Sequence, residues 1–214
     1  MQFELKQLII PPGNVLHLKD VSWQMFETIL EELGEHRTTR LAYNQGLLEI
    51  MNPLPEHEDD KEIIGDLVKI ILEELNLEYR SLGSTTFKKE QDSGVEPDQC
   101  FYIYNEAKVR GKKRIDLSVD PPPDLAIEID ITSPTQLSTY EALKVPEMWL
   151  YNGSRLQINQ LAGDKYVESS QSLIFPNFPL TAVVPQPVEQ CQTLGRLATL
   201  RAFRRWVREQ VSEQ

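Results

Sequence analysis

Pro123-Asp124-Leu125-Ala126-Ile127-Glu128-Ile129-Asp130-Ile131 is the stretch on which the fold turns. Alternate residues of a strand share a face. Asp124, Ala126, Glu128 and Asp130 therefore line one side, and Leu125, Ile127, Ile129 and Ile131 the other. The second side is the more apolar and is expected to pack under helices, which leaves the acidic side on a cleft. A carboxylate inside a hydrophobic strand is costly unless it is paired, hydrogen-bonded or bound to a metal. The run from Pro97 to Tyr104 carries Asp98 among Phe101, Tyr102 and Ile103 in the same way. Two such strands predict acids that converge on one site. Carboxylate and carbonyl oxygens are the ligands that a hard cation such as Mg²⁺ prefers. The plainer alternative makes Asp124 and Asp130 polar strand ends and Glu128 a structural ion-pair partner.

The spacing of Pro97-Asp98 and Glu128-Ile129-Asp130 is that of a metal-dependent phosphodiesterase core. Four segments make a likeness specific. They are Tyr43 to Met51 with Pro55-Glu56-His57, then Glu96-Pro97-Asp98, then Pro123 to Glu128 with Ser133-Pro134, and finally Lys144-Val145-Pro146-Glu147-Met148-Trp149-Leu150. In this order, over roughly residues 40 to 160, the chain resembles the Uma family of restriction-endonuclease domains, within the PD-(D/E)XK nuclease superfamily. The resemblance implies an α/β, restriction-endonuclease-like fold with a mixed central β-sheet flanked by helices. It implies an endonuclease that hydrolyses nucleic-acid phosphodiester bonds, with DNA as the expected partner and Mg²⁺ or Mn²⁺ as the cofactor. Asp98 and Glu128 would hold the ion, with a backbone carbonyl near Ile129 as a further ligand. His57 is the histidine of the Pro-Glu-His segment and is expected to assist.

One departure bears on activity. The superfamily places a lysine two residues after the motif glutamate, and here that residue is Asp130. Asp130 would then bind a second metal or help position water. The lysine ordinarily orients the attacking water or stabilises transition-state charge. Pro134 to Tyr140 contains no base, so Lys88, Lys89 and Lys144 are the candidate substitutes, beside His57. The absent lysine keeps two rival functions open. One is a nuclease-derived binding or regulatory module that keeps its metal and has lost its chemistry. The other is a structural or partner-binding domain whose acids are bridged by arginines.

The 214 residues fit one domain, with a core at about 40–160 and a meander and helix over 161–209. No apolar run reaches the length of a membrane span and the N-terminus lacks a signal-peptide pattern. Cys100 and Cys191 are far apart, as in reduced cytoplasmic proteins. The net charge of −11 argues against broad nucleic-acid affinity. Two local basic patches stand out against it, Lys108 to Arg114 and Arg196 to Arg208, and each is also readable as ordinary solvated surface.

Around the acidic strands, a first helix is expected from Asp20 or Ser22 to Gly34, then a hairpin turning at Asn44-Gln45-Gly46. A second helix starts near Glu56 with Ile63, Ile64, Leu67, Ile71 and Leu75 on its apolar face. Glu49, Glu56 and Glu62 are further candidates to face the metal. Three antiparallel strands follow from Trp149 to Ser169, then an apolar connector over Phe175 to Pro187 and a last helix from about Glu189 to Glu209. That helix or the meander is the candidate interface for a homodimer.

Overall fold

The computed structural model describes residues 7–34, 38–83, 85–89, 93–131 and 134–212. Ser133, part of the third likeness segment, lies outside them. Strand β1 (Val15–Leu18) leads to helix α1 (Trp23–Leu33). Ser22, and not Asp20, caps α1, its Oγ accepting from the Met25 N–H at 3.1 Å. Strands β2 (Arg40–Asn44) and β3 (Leu47–Met51) form the expected hairpin. Its turn residues Gln45 and Gly46 both have positive φ, 44° and 91°, as a type I′ turn requires. Helix α2 (Pro55–Glu74) starts on Pro55, whose fixed φ suits the first helical position. Glu56 and Glu58 in its first turn favour the helix dipole.

Short strands β4 (Arg80–Leu82), β5 (Phe87–Lys89) and β6 (Ser93–Val95) precede β7 (Gln99–Tyr102) and helix α3 (Glu106–Val109). Strand β8 (Leu125–Ile129) is followed by α4 (Leu137–Leu143) and β9 (Glu147–Tyr151). Strands β10 (Leu156–Ala162) and β11 (Lys165–Ser169) complete the meander, and α5 (Leu180–Val183), α6 (Pro185–Leu194) and α7 (Arg196–Ser212) end the chain. The expected connector is thus partly helical. The single C-terminal helix is two helices, because Gly195 at φ 93° leaves the helical region between them.

The expected α/β architecture, a mixed sheet flanked by helices, stands, with one difference in the sheet. A six-stranded mixed sheet, β11-β10-β9-β8-β7-β4, is accompanied by a five-stranded antiparallel sheet, β1-β3-β2-β6-β5. The β8–β9 pair is parallel and is joined through α4, since parallel neighbours need a crossover. Every residue of β8 is buried, which is why it reads as a nearly continuous apolar run. Leu125, Ile127 and Ile129 pack with Ile63, Ile64 and Leu67 of α2 and Phe203 of α7. Ala126, on the other side, packs with Cys100, Tyr102, Tyr140 and Met148. The helix-covered face is therefore the one that the alternation predicts. Among the described residues no helix is long and apolar enough to cross a membrane.

Candidate active site

Strands β7 and β8 run antiparallel with Gln99 opposite Ile127. One step further along that register, Asp98 stands beside Glu128. Asp98 is wholly buried. Its Oδ2 accepts the Ile129 N–H at 2.8 Å and lies 3.0 Å from His57 Nε2. Its Oδ1 pairs with Arg40 Nη1 but takes no hydrogen bond of good geometry. Ile129 meets Asp98 through its N–H. Glu128 is buried as well, and among the described residues its hydrogen-bond donor is the Tyr140 hydroxyl. Burial pushes its carboxyl up to about 8, against the pull of Tyr140 and Arg40.

Asp130 lies just past β8, where it accepts the Thr135 N–H at 3.1 Å and the Thr135 hydroxyl at 2.5 Å. Burial raises its carboxyl too. Glu128, Ile129 and Asp130 line a cavity of about 70 Å³ with Arg40, Glu49, Glu96, Gln136 and Tyr140. Glu49 is pinned there by His17 Nε2 at 3.0 Å and Gln136 Nε2 at 2.5 Å. The Arg40 and Glu96 side chains also border a second, larger cavity of about 770 Å³ bounded by Thr38, Pro53 and Glu58. Arg40 and Glu96 thus line both cavities.

Helix α2 brings His57 and Glu58 to this place from its first turn. The His57 ring is buried between Asp98 and Glu58, with Nδ1 3.5 Å from Glu58 Oε1. Glu58 is also held by Arg40 Nη2 at 2.7 Å and by Lys61. The His57 ring, then Lys61 and Arg40, keep its carboxyl well below the usual carboxylate range. Glu56 and Glu62, the acids proposed from this helix, are exposed instead.

The candidate lysines go elsewhere. Lys88 pairs with Glu27, Lys89 donates to the Ala142 carbonyl, and Lys144 pairs with Asp164. The base that reaches Asp98 is Arg40, which sequence reasoning missed. A charged residue heading an otherwise apolar strand was the available signal. Tyr140 and Glu58 were missed as well. Asp124 proves to be a strand-end ligand of backbone, accepting from the Ile103 and Asn105 N–H groups at 2.7 and 3.0 Å. Cys100 is a core thiol that burial pushes upward, away from reactivity.

The C-terminal basic patch lies on α2. Arg196 meets Asp66, Arg204 meets Glu73 and Glu74, and Arg208 meets Glu74. In the other patch Arg110 pairs with Glu106 and Lys112 with Asp120. Three arginines of α7 and two bases of the α3 region are thus held by acids of their own fold.

A family model described as "Uma2: Putative restriction endonuclease" matches residues 23–192. No curated protein matches the chain. Among solved structures, the chain is similar to a "putative nuclease" of the DUF820 group from Anabaena variabilis ATCC 29413. The two share 12% identity, over 84% of this chain and 99% of that one, with a TM-score of 0.48.

Proposed function

The chain belongs to the Uma2 family of restriction-endonuclease domains, and from that premise we propose that it is a divalent-metal-dependent endonuclease acting on DNA. The observation that carries this is the β7–β8 register, which sets two buried carboxylates, Asp98 and Glu128, side by side, with Glu128 on the wall of a cavity. The family generally uses divalent metals. The donor set suits such an ion. Mg²⁺ typically takes one or two protein carboxylates and keeps several waters. Asp98 Oδ1 is met by the Arg40 guanidinium, which a divalent ion would have to displace, and Glu128 is short of donors for its charged form. Among the described residues no three His, Cys, Asp or Glu side chains group closely enough to hold a metal without further ligands. Two carboxylates completed by water and substrate oxygens is therefore the arrangement that we assign.

Bound at Asp98 and Glu128, Mg²⁺ or Mn²⁺ supplies Lewis acidity and lowers the pKa of a water. The chain's own residues do the rest. The Ile129 N–H and His57 fix the Asp98 carboxylate, and the Thr135 amide and hydroxyl fix Asp130 at the cavity wall, where it orients water. Tyr140 directs Glu128. DNA reaches a chain of net charge −11 only with local neutralisation, which a divalent ion in the cleft provides.

A second function is favoured by one observation, the Arg40–Asp98 ion pair. It is what a structural domain with arginine-bridged acids would show. Melting curves with EDTA, Mg²⁺ and Mn²⁺ separate the two. An ion at a hundredfold its dissociation constant adds about 2.7 kcal/mol to stability, or roughly 5–10 °C for a chain of this size. We expect that shift in the wild type and its loss in Asp98→Asn and Glu128→Gln, together with loss of plasmid cleavage. Absence of any shift at millimolar ion defeats the nuclease proposal.

A further inference from the structure

We propose that Arg40 is a built-in competitor of the divalent ion at Asp98, and that its charge stands in for the absent motif lysine. The proposal rests on the metal-dependent function argued above. Asp98 is fully buried, and a buried carboxylate left without a cation is strongly disfavoured. Arg40 meets that need, pairing with Asp98 through Nη1 and with Glu58 through Nη2 at 2.7 Å. Arg40 is itself buried, 8% exposed, and lines both cavities.

A guanidinium and a divalent cation on one carboxylate repel each other. Occupancy of Asp98 by the ion therefore weakens its hold on Arg40, while Glu58, in contact with Lys61 and His57, keeps the arginine in the cleft wall. Guanidinium forks match phosphate oxygens in two-point contacts. A positive group freed from Asp98 and retained between the cavities is suited to a phosphodiester, which is the duty that Asp130 cannot perform from the lysine's position. The three lysines that might have done so are engaged at Glu27, Ala142 and Asp164. Arg40 thus enters from a hairpin that precedes the motif in the chain.

The test is Mn²⁺ binding by calorimetry to the wild type, Arg40→Met and Arg40→Lys, with DNA cleavage measured in parallel. Removal of the competing charge is expected to tighten Mn²⁺ binding by at least about tenfold in Arg40→Met while cleavage falls by more than about a hundredfold. Arg40→Lys is expected to bind with intermediate affinity and to retain part of the cleavage, which a packing role would not allow. If Arg40→Met is too unstable for calorimetry, the Mn²⁺-induced rise in melting temperature of Arg40→Lys, expected to exceed that of the wild type, decides. Unchanged or weaker Mn²⁺ binding in folded variants overturns the role of Arg40 and leaves the metal site intact. Mn²⁺ binding to none of the three proteins at millimolar concentration removes the metal-dependent function, and this proposal with it.

Discussion

Glu128 and Glu147 are buried glutamates on neighbouring parallel strands of one sheet, and they differ in the company they keep. Glu147 accepts from Trp149 Nε1 at 2.7 Å, Ser172 Oγ at 2.6 Å and the Leu173 N–H at 2.5 Å. Burial raises its carboxyl, and these donors pull it back. It ties β9 to the segment that leads into α5. Glu128 has the Tyr140 hydroxyl, a cavity and an arginine nearby. Burial alone does not tell a strut from a site. The number of donors arranged around the charged form does, because a carboxylate with few donors is favourable only when a cation arrives.

Replacing each glutamate should separate them, and the largest effect is expected at Glu147. Glu147→Ala leaves three donors unpaired, two of them, Trp149 Nε1 and Ser172 Oγ, buried, at about 1–3 kcal/mol each for the buried ones. Urea denaturation should show a loss of roughly 3 kcal/mol or more, and melting a fall of roughly 6 °C or more. Glu128→Gln, which replaces a carboxyl that burial keeps protonated up to about 8, should stay within about 1 kcal/mol of the wild type or exceed it. Equal losses at the two positions would erase the distinction.

A pH series sharpens the same contrast. Glu128 keeps its proton in the folded chain up to about 8, against an ordinary value of 4.5. Between those limits the folded state binds more protons than the unfolded one, so stability falls as pH rises. Asp60, raised to about 6 by burial beside Glu56 and Asp59, adds to the slope in the same direction. The difference between wild type and Glu128→Gln isolates the contribution of Glu128. That difference should grow from about pH 4.5 to 8, and stabilisation by Mn²⁺ should grow with it, because the ion displaces the proton. A difference independent of pH would place the Glu128 carboxyl in the ordinary range.

The smallest effects concern single donors. Ser172→Ala should cost about 1 kcal/mol, read as a shift in urea midpoint. Tyr140→Phe should cost less stability and instead move the pH midpoint of Mn²⁺ stabilisation upward, since it removes a donor to the charged form of Glu128. A stability loss at Tyr140 larger than that at Ser172 would make Glu128 a strut like its neighbour.

Much of the local structure was legible because it depends on near neighbours in the chain. The period-two alternation in β8 placed Leu125, Ile127 and Ile129 under α2. Gln45-Gly46 marked the hairpin and Ser22 and Gly34 bounded α1. The break at Gly195 went unread because the apolar spacing of α6 and α7 continues across it. Within the site, Asp98, Glu128 and His57 were named in advance, and Arg40, Glu58 and Tyr140 were not. A basic residue at a strand start has many possible partners, and none of them is adjacent to it in the sequence.

By itself, the sequence determined the α1 and α2 helices, the β2–β3 hairpin and the β9–β11 meander, which face of β8 is apolar, and that Asp98 and Glu128 lie on segments able to meet. Those properties follow from side-chain periodicity and turn chemistry, which act over a few residues. Only the tertiary structure decided that Asp98 pairs with Arg40, that Glu147 is saturated with donors while Glu128 is not, and that Arg196, Arg204 and Arg208 of α7 are held by Asp66, Glu73 and Glu74. Those outcomes depend on charge and hydrogen-bond geometry between groups distant along the chain, which are set when the sheets and helices pack.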